Sequence, residues 1–239
     1  MSGHSKLAKI HRAKGAADAA RGKVFQKLAK ELYVAARGTN GNIDDNPSLR
    51  MVVEKCRSQN MPKDNIQKAI DKACKTTGGE DYETIRYEGY APSGIAVMVD
   101  CLTDNRNRTA SFVRSTFTKR GGNLGTDGSV SYLFNRQGVI VIEKTLDEDD
   151  VMMTCLDSGA DDIITEDDSF VIYTAPDKFL TVKKTLEDMD AVFITSEITY
   201  VASNTVEITD EEVKEKVYAL IDALEELDDV NAVYHNMED

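Results

Sequence analysis

The chain has 239 residues, of which 41% are hydrophobic and 30% charged, and its formal net charge is −13. These proportions are typical of a globular protein, and the length predicts one to three domains. No apolar run approaches the roughly 18 residues of a membrane-spanning helix, and the N-terminal stretch lacks the apolar segment of a secretory signal. We therefore expect a cytoplasmic protein without a membrane partner.

The charge is unevenly distributed along the chain. Residues 1–80 hold 16 basic and 8 acidic residues, whereas residues 136–239 hold 7 basic and 28 acidic residues. A polyanion such as nucleic acid attracts the first part and repels the second. The pattern indicates a nucleic-acid-binding protein with a fixed orientation toward its partner.

The N-terminal part is predicted to be helical after a basic arm. Residues 1–22 show neither helical nor strand periodicity, so we expect a mobile arm. Across residues 23–79, apolar residues recur at helical spacing in three segments. Gly38 ends the first segment, and Pro47 and Pro62 suit the first turns of the next two. A three-helix bundle over 23–79 follows, with its later helices at 47–59 and 62–75.

Strand patterns begin after residue 79. The stretches "TIRYEGY", "GIAVMVDCL" and "GSVSYLF" predict strands, and "RNRTASFVRSTFTKR" between the last two predicts a helix. Residues 137–203 give the order β-α-β-β-α-β of a ferredoxin-like unit. The tail adds a strand, a long helix and a final strand.

The predicted fold class is therefore α+β, with an N-terminal three-helix bundle followed by two ferredoxin-like α/β domains, one inserted in the other. Residues 80–136 and 204–239 form the discontinuous domain, and the acidic residues 137–203 form the inserted domain.

Nothing in the sequence predicts an enzyme. The three histidines, His4, His11 and His235, are dispersed, and no nucleophile or phosphate-loop pattern occurs. The acidic clusters at 147–150 and 166–168 lack the spacing and glycine of a calcium loop. We expect no catalytic residues, no metal and no cofactor.

Two clusters of cations are candidates for nucleic-acid contact. The first 30 residues hold eight cations against one acid, Asp18. In the helix at 106–119, Arg106 and Arg108 occupy the first turn, where the helix dipole disfavours cations. Two interpretations are open for these arginines: contact with phosphates or base edges, or a local network with Asp100 or Asp104. The predicted nucleic-acid-binding residues are Lys6, Lys9, Arg12, Lys14, Arg21, Lys23, Lys27, Lys30, Asn105, Arg106, Asn107, Arg108, Arg114, Lys119 and Arg120.

Two further features leave alternatives open. The glycine-rich stretch "GGNLGTDG" at 121–128 is either a helix stop with a connector or a backbone segment that approaches a phosphate or another macromolecule. The helix at 62–75 has the length of a DNA-reading helix and carries a polar set of Lys63, Asn65, Gln67, Lys68 and Lys72. Such a face is either solvated or placed in a major groove.

Several long stretches resemble the YebC family, which includes mitochondrial translational activators of cytochrome oxidase. The matching stretches are "GHSK" (3–6), "RGKVFQKL" (21–28), "NPSLR" (46–50), "NMPKDNIQKAI" (60–70), "YEGY" (87–90), "CLTDNRNRT" (101–109) and "GGNLGTDGSVSYLF" (121–134). The chain departs from the family at Leu7 and Tyr132, where family members usually have tryptophan.

The resemblance implies three domains and a non-enzymatic role in gene expression. Family members are described as probable DNA-binding transcriptional regulators, and some resemble ribosome-associated translation factors. Our first hypothesis is a factor that binds rRNA on the ribosome, because dispersed cations suit an irregular RNA surface. The alternative is a DNA-binding regulator that uses the helix at 62–75. A remote alternative is an enzyme with a small-molecule site between the α/β domains. Self-association is left open.

Overall fold

The computed structural model describes residues 18–75 and 81–238. It shows an α+β protein in which N-terminal helices precede antiparallel sheets, so the predicted fold class is confirmed. The chain forms two compact units. One comprises residues 134–203, and the other comprises the described residues on both sides of that segment.

The N-terminal helices pack into a bundle. Their bounds are α1 (Asp18–Ala36), α2 (Pro47–Ser58) and α3 (Lys63–Lys75). The Asn46 side chain caps α2 by accepting a hydrogen bond from the N–H of Leu49 (3.0 Å). Leu32, Leu49 and Ile70 are among the buried residues of the shared core. Helix α1 begins at Asp18, within the stretch assigned to the arm.

The same unit continues with two long strands and a helix. These elements are β1 (Glu83–Tyr90), β2 (Ala96–Thr103), α4 (Arg106–Lys119) and the short β3 (Asn123–Leu124). β1 and β2 are antiparallel, with Glu83 opposite Thr103 and Tyr90 opposite Ala96. The continuous apolar run of β2 is buried on both faces, as its sequence predicts.

The unit of residues 134–203 has ferredoxin-like topology. Its elements are β4 (Phe134–Glu143), α5 (Glu148–Ser158), β5 (Ala160–Thr165), β6 (Ser169–Thr174), α6 (Phe179–Asp188) and β7 (Phe193–Ala202). The strand order is β5-β6-β4-β7, and every pairing is antiparallel. Both helices bury apolar side chains against one sheet face, with Ile140, Cys155 and Val182 in the core.

The tail completes the sheet of the first unit. It contains β8 (Val206–Glu207), α7 (Glu211–Glu225), β9 (Val230–His235) and β10 (Met237–Glu238). β9 pairs with β2, which gives the sheet order β3-β1-β2-β9. Both α4 and α7 pack on one face of this sheet, where Phe117 and Leu220 are fully buried.

The strand predicted for "GSVSYLF" is wrong. Ser131–Leu133 form a turn of 3₁₀ helix, and the next strand begins only at Phe134. The backbone N–H groups of Gly128, Val130 and Ser131 donate to the carboxylate of Glu88. These donors are therefore withdrawn from any sheet ladder, and a tertiary contact overrides the local strand preference. Within the described residues, no helix is long and apolar enough to span a membrane.

Candidate nucleic-acid interface

Helix α4 combines an anchored beginning with an acid-free sequence. The side chain of Asn105 caps the helix by accepting a hydrogen bond from the N–H of Arg108 (3.0 Å). Val113 and Phe117 are buried against the sheet, while the first turn is exposed. Residues 106–119 contain four cations and no carboxylate, so the solvent side of α4 carries positive charge.

Arg108 takes part in a polar network centred on Asp229. Its guanidinium donates to Oδ2 of Asp229 at 2.8 and 3.2 Å and to Oδ1 of Asp104 at 2.8 Å. The hydroxyl of Thr109 donates to the same Asp229 oxygen (2.9 Å). Of the two interpretations left open for Arg108, the local network with Asp104 is present. No local pattern in the sequence indicates its second partner, Asp229, which lies 121 residues away.

The pKa of Asp229 reflects two opposing effects. Burial raises the pKa of this carboxyl, since only 8% of its side chain is exposed. The hydrogen bonds from Arg108 and Thr109 and the charge of Lys30 outweigh burial, so the pKa lies below its usual value.

Arg106 makes a different kind of pair. Its guanidinium donates to Glu83 at 2.8 Å, and both side chains are exposed. An exposed pair of this kind contributes little to stability, so Arg106 is easily released to another anion. Asn107 is exposed beside it.

The middle and end of α4 expose cations and an aromatic ring. Arg114, Lys119 and Arg120 are exposed and form no ion pair with the part of the chain that the structure describes. Phe112 on the same helix is 54% exposed. Sequence reasoning did not select Phe112, although it lies off the stripe of Val113 and Phe117. Cations interleaved with an exposed aromatic ring suit stacking of a base and binding of its phosphate.

Three predicted binding lysines of α1 have structural contacts. Lys23 donates to the Glu226 carboxylate (2.5 Å), Lys27 to the Glu225 carbonyl (2.6 Å) and Lys30 to the Asp228 carbonyl (3.1 Å). These acceptors lie at and just after the carboxyl end of α7, where cations are favourable. These three lysines therefore hold the bundle against the α/β part of the same unit. Its role in nucleic-acid binding stays a prediction.

Other predicted positions lie outside the described residues. These are Lys6, Lys9, Arg12 and Lys14, together with the side chain of Arg21. The structure gives no contact for them, and their role in binding also stays a prediction.

A cleft of about 610 Å³ separates α1 from α4. Its walls include Lys23, Tyr82, Phe112 and the segment 226–229. Its charged groups largely pair with one another, as Lys23 does with Glu226 and Arg108 with Asp229. Among the residues that the structure describes, no histidine or cysteine lines it.

The glycine-rich segment 121–128 is held by Glu88. Gly121, at φ +77°, ends α4 in the left-handed conformation that favours glycine. The Glu88 carboxylate accepts from Gly128 (2.9 Å), Val130 (2.7 Å) and Ser131 (2.8 Å). Burial raises the pKa of Glu88, but the three donors outweigh it and the pKa lies below its usual value. Within the segment, the N–H of Gly128 donates to this carboxylate and that of Gly125 to the Glu88 carbonyl (2.8 Å). The arrangement favours the helix stop and connector, because Glu88 already accepts from these two donors.

Helix α3 presents the polar face of the DNA-reading alternative. Lys63, Asn65, Gln67, Lys68 and Lys72 are all exposed. The Nζ of Lys72 also lies 6.0 Å from the centre of the Tyr33 ring. The carboxylate of Asp71 accepts from Gln67 (2.8 Å). An acid on this face reduces its attraction for phosphate.

Fold and surface together define an α+β protein in which a helical bundle precedes two antiparallel α/β sheets, with a cationic helix on one of them. Two family models match the chain. The TACO1/YebC N-terminal domain matches residues 5–76, and the TACO1/YebC second and third domain matches residues 82–237. The chain therefore belongs to the TACO1/YebC family, which confirms the resemblance seen in the sequence.

Relatives match over almost their whole length. A protein of Geobacillus kaustophilus is 51% identical over all of this chain and 98% of its own length, and one of Finegoldia magna is 51% identical over 99% and 98%. Both are named probable transcriptional regulatory protein. The crystal structure of a conserved hypothetical protein from Aquifex aeolicus is similar, with a TM-score of 0.80 and 46% identity. The match covers 92% of this chain and 91% of that one.

Proposed function

We propose that this protein is a non-enzymatic, cytoplasmic translation factor that binds rRNA on the ribosome through α4. The relatives' names make a transcriptional regulator the second candidate, with α3 as its DNA-reading helix. Both candidates are nucleic-acid-binding regulators of gene expression, and they differ in the helix that they use and in the polymer that they prefer.

The observation that supports the RNA proposal is the exposed side of α4. Arg114, Lys119 and Arg120 have no internal partner in the described residues, and Phe112 lies exposed on the same helix. An exposed phenyl ring stacks on an unpaired base, which an RNA loop presents and a closed DNA duplex does not. The anchoring of α4 by Asn105 and Phe117 holds these side chains on a rigid element.

Matched double variants test the choice of helix. Arg114→Ala with Lys119→Ala removes two unpaired cations from α4, and Lys63→Ala with Lys68→Ala removes two from α3. The probes are a labelled single-stranded RNA and a duplex DNA of the same sequence. We expect the α4 variant to bind RNA more weakly and to reduce the slope of log K against log salt by about 1.4. Phe112→Ala should cost a further ~1–3 kcal/mol of binding.

The outcomes separate the two candidates. Under the RNA proposal, the α3 variant binds RNA like the unmodified protein, and duplex DNA binds more weakly than RNA. Loss of duplex binding in the α3 variant, with no change in the α4 variant, would contradict the RNA proposal and favour the transcriptional regulator. The four cations changed in the two double variants are exposed and have no partner in the described residues. Both double variants should therefore keep the melting temperature of the unmodified protein.

A further inference from the structure

Helix α5 of the unit 134–203 exposes three apolar side chains on its solvent side. Val151 and Cys155 are buried against the sheet, as expected for the inner face of a packed helix. On the solvent side, Met153 is 63% exposed and Leu156 is 51% exposed, and Met152 lies beside them. Helices of globular proteins normally place such side chains on the buried face, so their exposure here needs an explanation.

The neighbouring helix α6 begins close to the end of α5 and also exposes a leucine. A methyl group on Gly159, at the end of α5, would lie 3.3 Å from the Lys178 side chain at the start of α6. Leu180, in the first turn of α6, is also exposed. We define the α5 patch as Met152, Met153 and Leu156, which the i, i+3 and i, i+4 spacing of one helix places side by side. A contiguous group of exposed apolar side chains marks an interaction site, whereas scattered ones do not.

Carboxylates without cation partners flank this patch. Asp149 and Asp157 are exposed and form no ion pair with the described residues. Asp149 is explained by the helix dipole, because it lies in the first turn of α5. Asp157 lies in the last turn, where a negative charge is unfavourable, so its position calls for a cation from outside the unit. The lysines Lys183 and Lys184 of α6 pair within their own helix with Glu187 and Asp188.

The negative charge of the unit 134–203 indicates what kind of partner covers the α5 patch. Residues 134–203 hold 16 acidic and 5 basic residues. Nucleic acid, an anionic membrane and a second copy of this acidic unit are all repelled by such a surface. A basic protein segment is attracted, and flexible methionine side chains adapt to the apolar side of a helix.

We infer that the α5 patch docks a basic amphipathic helix of a partner protein. The partner's apolar side chains cover Met153 and Leu156, and its lysines or arginines face Asp149 and Asp157. This site belongs to the unit 134–203, whereas α4 belongs to the other unit, and the inference does not depend on the proposed function. It gives the acidic unit a protein-binding role while α4 serves nucleic acid.

The test uses the full chain and a fluorescent synthetic peptide of about 18 residues, built of leucine and lysine as an amphipathic helix. Binding is measured by anisotropy at about 150 mM salt. We expect a one-to-one complex that Met153→Ser with Leu156→Ser weakens about tenfold or more. Asp157→Asn should weaken it by a smaller factor. Val206→Ser, which changes an exposed apolar residue outside the patch (38% exposed), is the control and should bind like the unmodified chain.

Three results would overturn the inference. Equal binding by the serine double variant and the unmodified chain would mean that charge alone attracts the peptide. Absence of peptide binding would exclude a basic amphipathic helix as the occupant. A dimer that dissociates in the serine double variant, seen by sedimentation, would identify a second copy as the occupant. Unchanged far-ultraviolet circular dichroism of the variants shows that the fold is retained in each comparison.

Discussion

Replacing Asp229 by alanine is expected to lower the free energy of unfolding by about 2–4 kcal/mol. Asp229 is buried and accepts hydrogen bonds from Arg108 and Thr109 and an ion pair from Lys30. The substitution leaves the hydroxyl of Thr109 without an acceptor and loosens the bundle from α4, since Lys30 belongs to α1. Urea unfolding measures the change.

Glu83→Ala is the matched control for this substitution. Glu83 also pairs with an arginine of α4, but both partners are exposed, so removal should leave the unfolding midpoint unchanged. Equal unfolding free energies for Asp229→Ala and the unmodified protein would contradict the assignment of Asp229 as the centre of the network. This contrast also separates Arg108, whose loss perturbs the fold, from Arg106, whose loss does not.

The pH dependence follows from the lowered pKa of Asp229. A carboxyl with a lower pKa in the folded state stabilises the fold at pH values above its unfolded pKa. That contribution is lost as the pH falls through the folded-state pKa. The difference between the unmodified protein and Asp229→Ala should therefore be constant near neutral pH and shrink in acid.

Glu88→Ala is expected to cost about 2–4 kcal/mol and to free the segment 128–131. The substitution removes the acceptor of three backbone N–H groups, and that of Val130 is buried. Hydrogen exchange at Gly128, Val130 and Ser131 should accelerate before global unfolding. Glu88→Gln keeps one acceptor oxygen, so its exchange rates should lie between those of the unmodified protein and those of Glu88→Ala.

Asp127→Ala in the same segment is the control, because Asp127 is exposed and the segment should stay protected. Unchanged exchange in Glu88→Ala would show that Glu88 does not hold the segment. Because the pKa of Glu88 is lowered in the folded protein, its contribution to stability depends on pH. The contribution is present above the usual pKa of glutamate and is lost in acid, as the carboxylate is protonated.

Local sequence signals predicted most elements of the fold. The apolar run of β2, the stripe of Val113 and Phe117 in α4 and the strand-helix alternation of residues 137–203 are each readable within about 15 residues. The 3₁₀ turn at Ser131–Leu133 was not predictable in this way. Its cause is Glu88, which lies more than 40 residues earlier in the chain.

The candidate site was predictable only in part. The cations of α4 were visible in the sequence, but the roles of Arg106 and Arg108 depend on whether their partners are exposed or buried. The stripe of Lys23, Lys27 and Lys30 looks like an extension of the basic arm, yet its acceptors lie about 200 residues away. Charge patterns show that a cation is present, whereas only tertiary contacts show whether it is already paired.

The most direct test of the account is co-sedimentation of the full chain with purified ribosomes at about 150 mM salt, with excess duplex DNA as competitor. We expect the protein to pellet with ribosomes in the presence of DNA, and Arg114→Ala with Lys119→Ala to leave it in the supernatant. Lys63→Ala with Lys68→Ala should pellet normally. Release of the protein from ribosomes by duplex DNA, with the α3 variant unable to bind that duplex, would contradict the account.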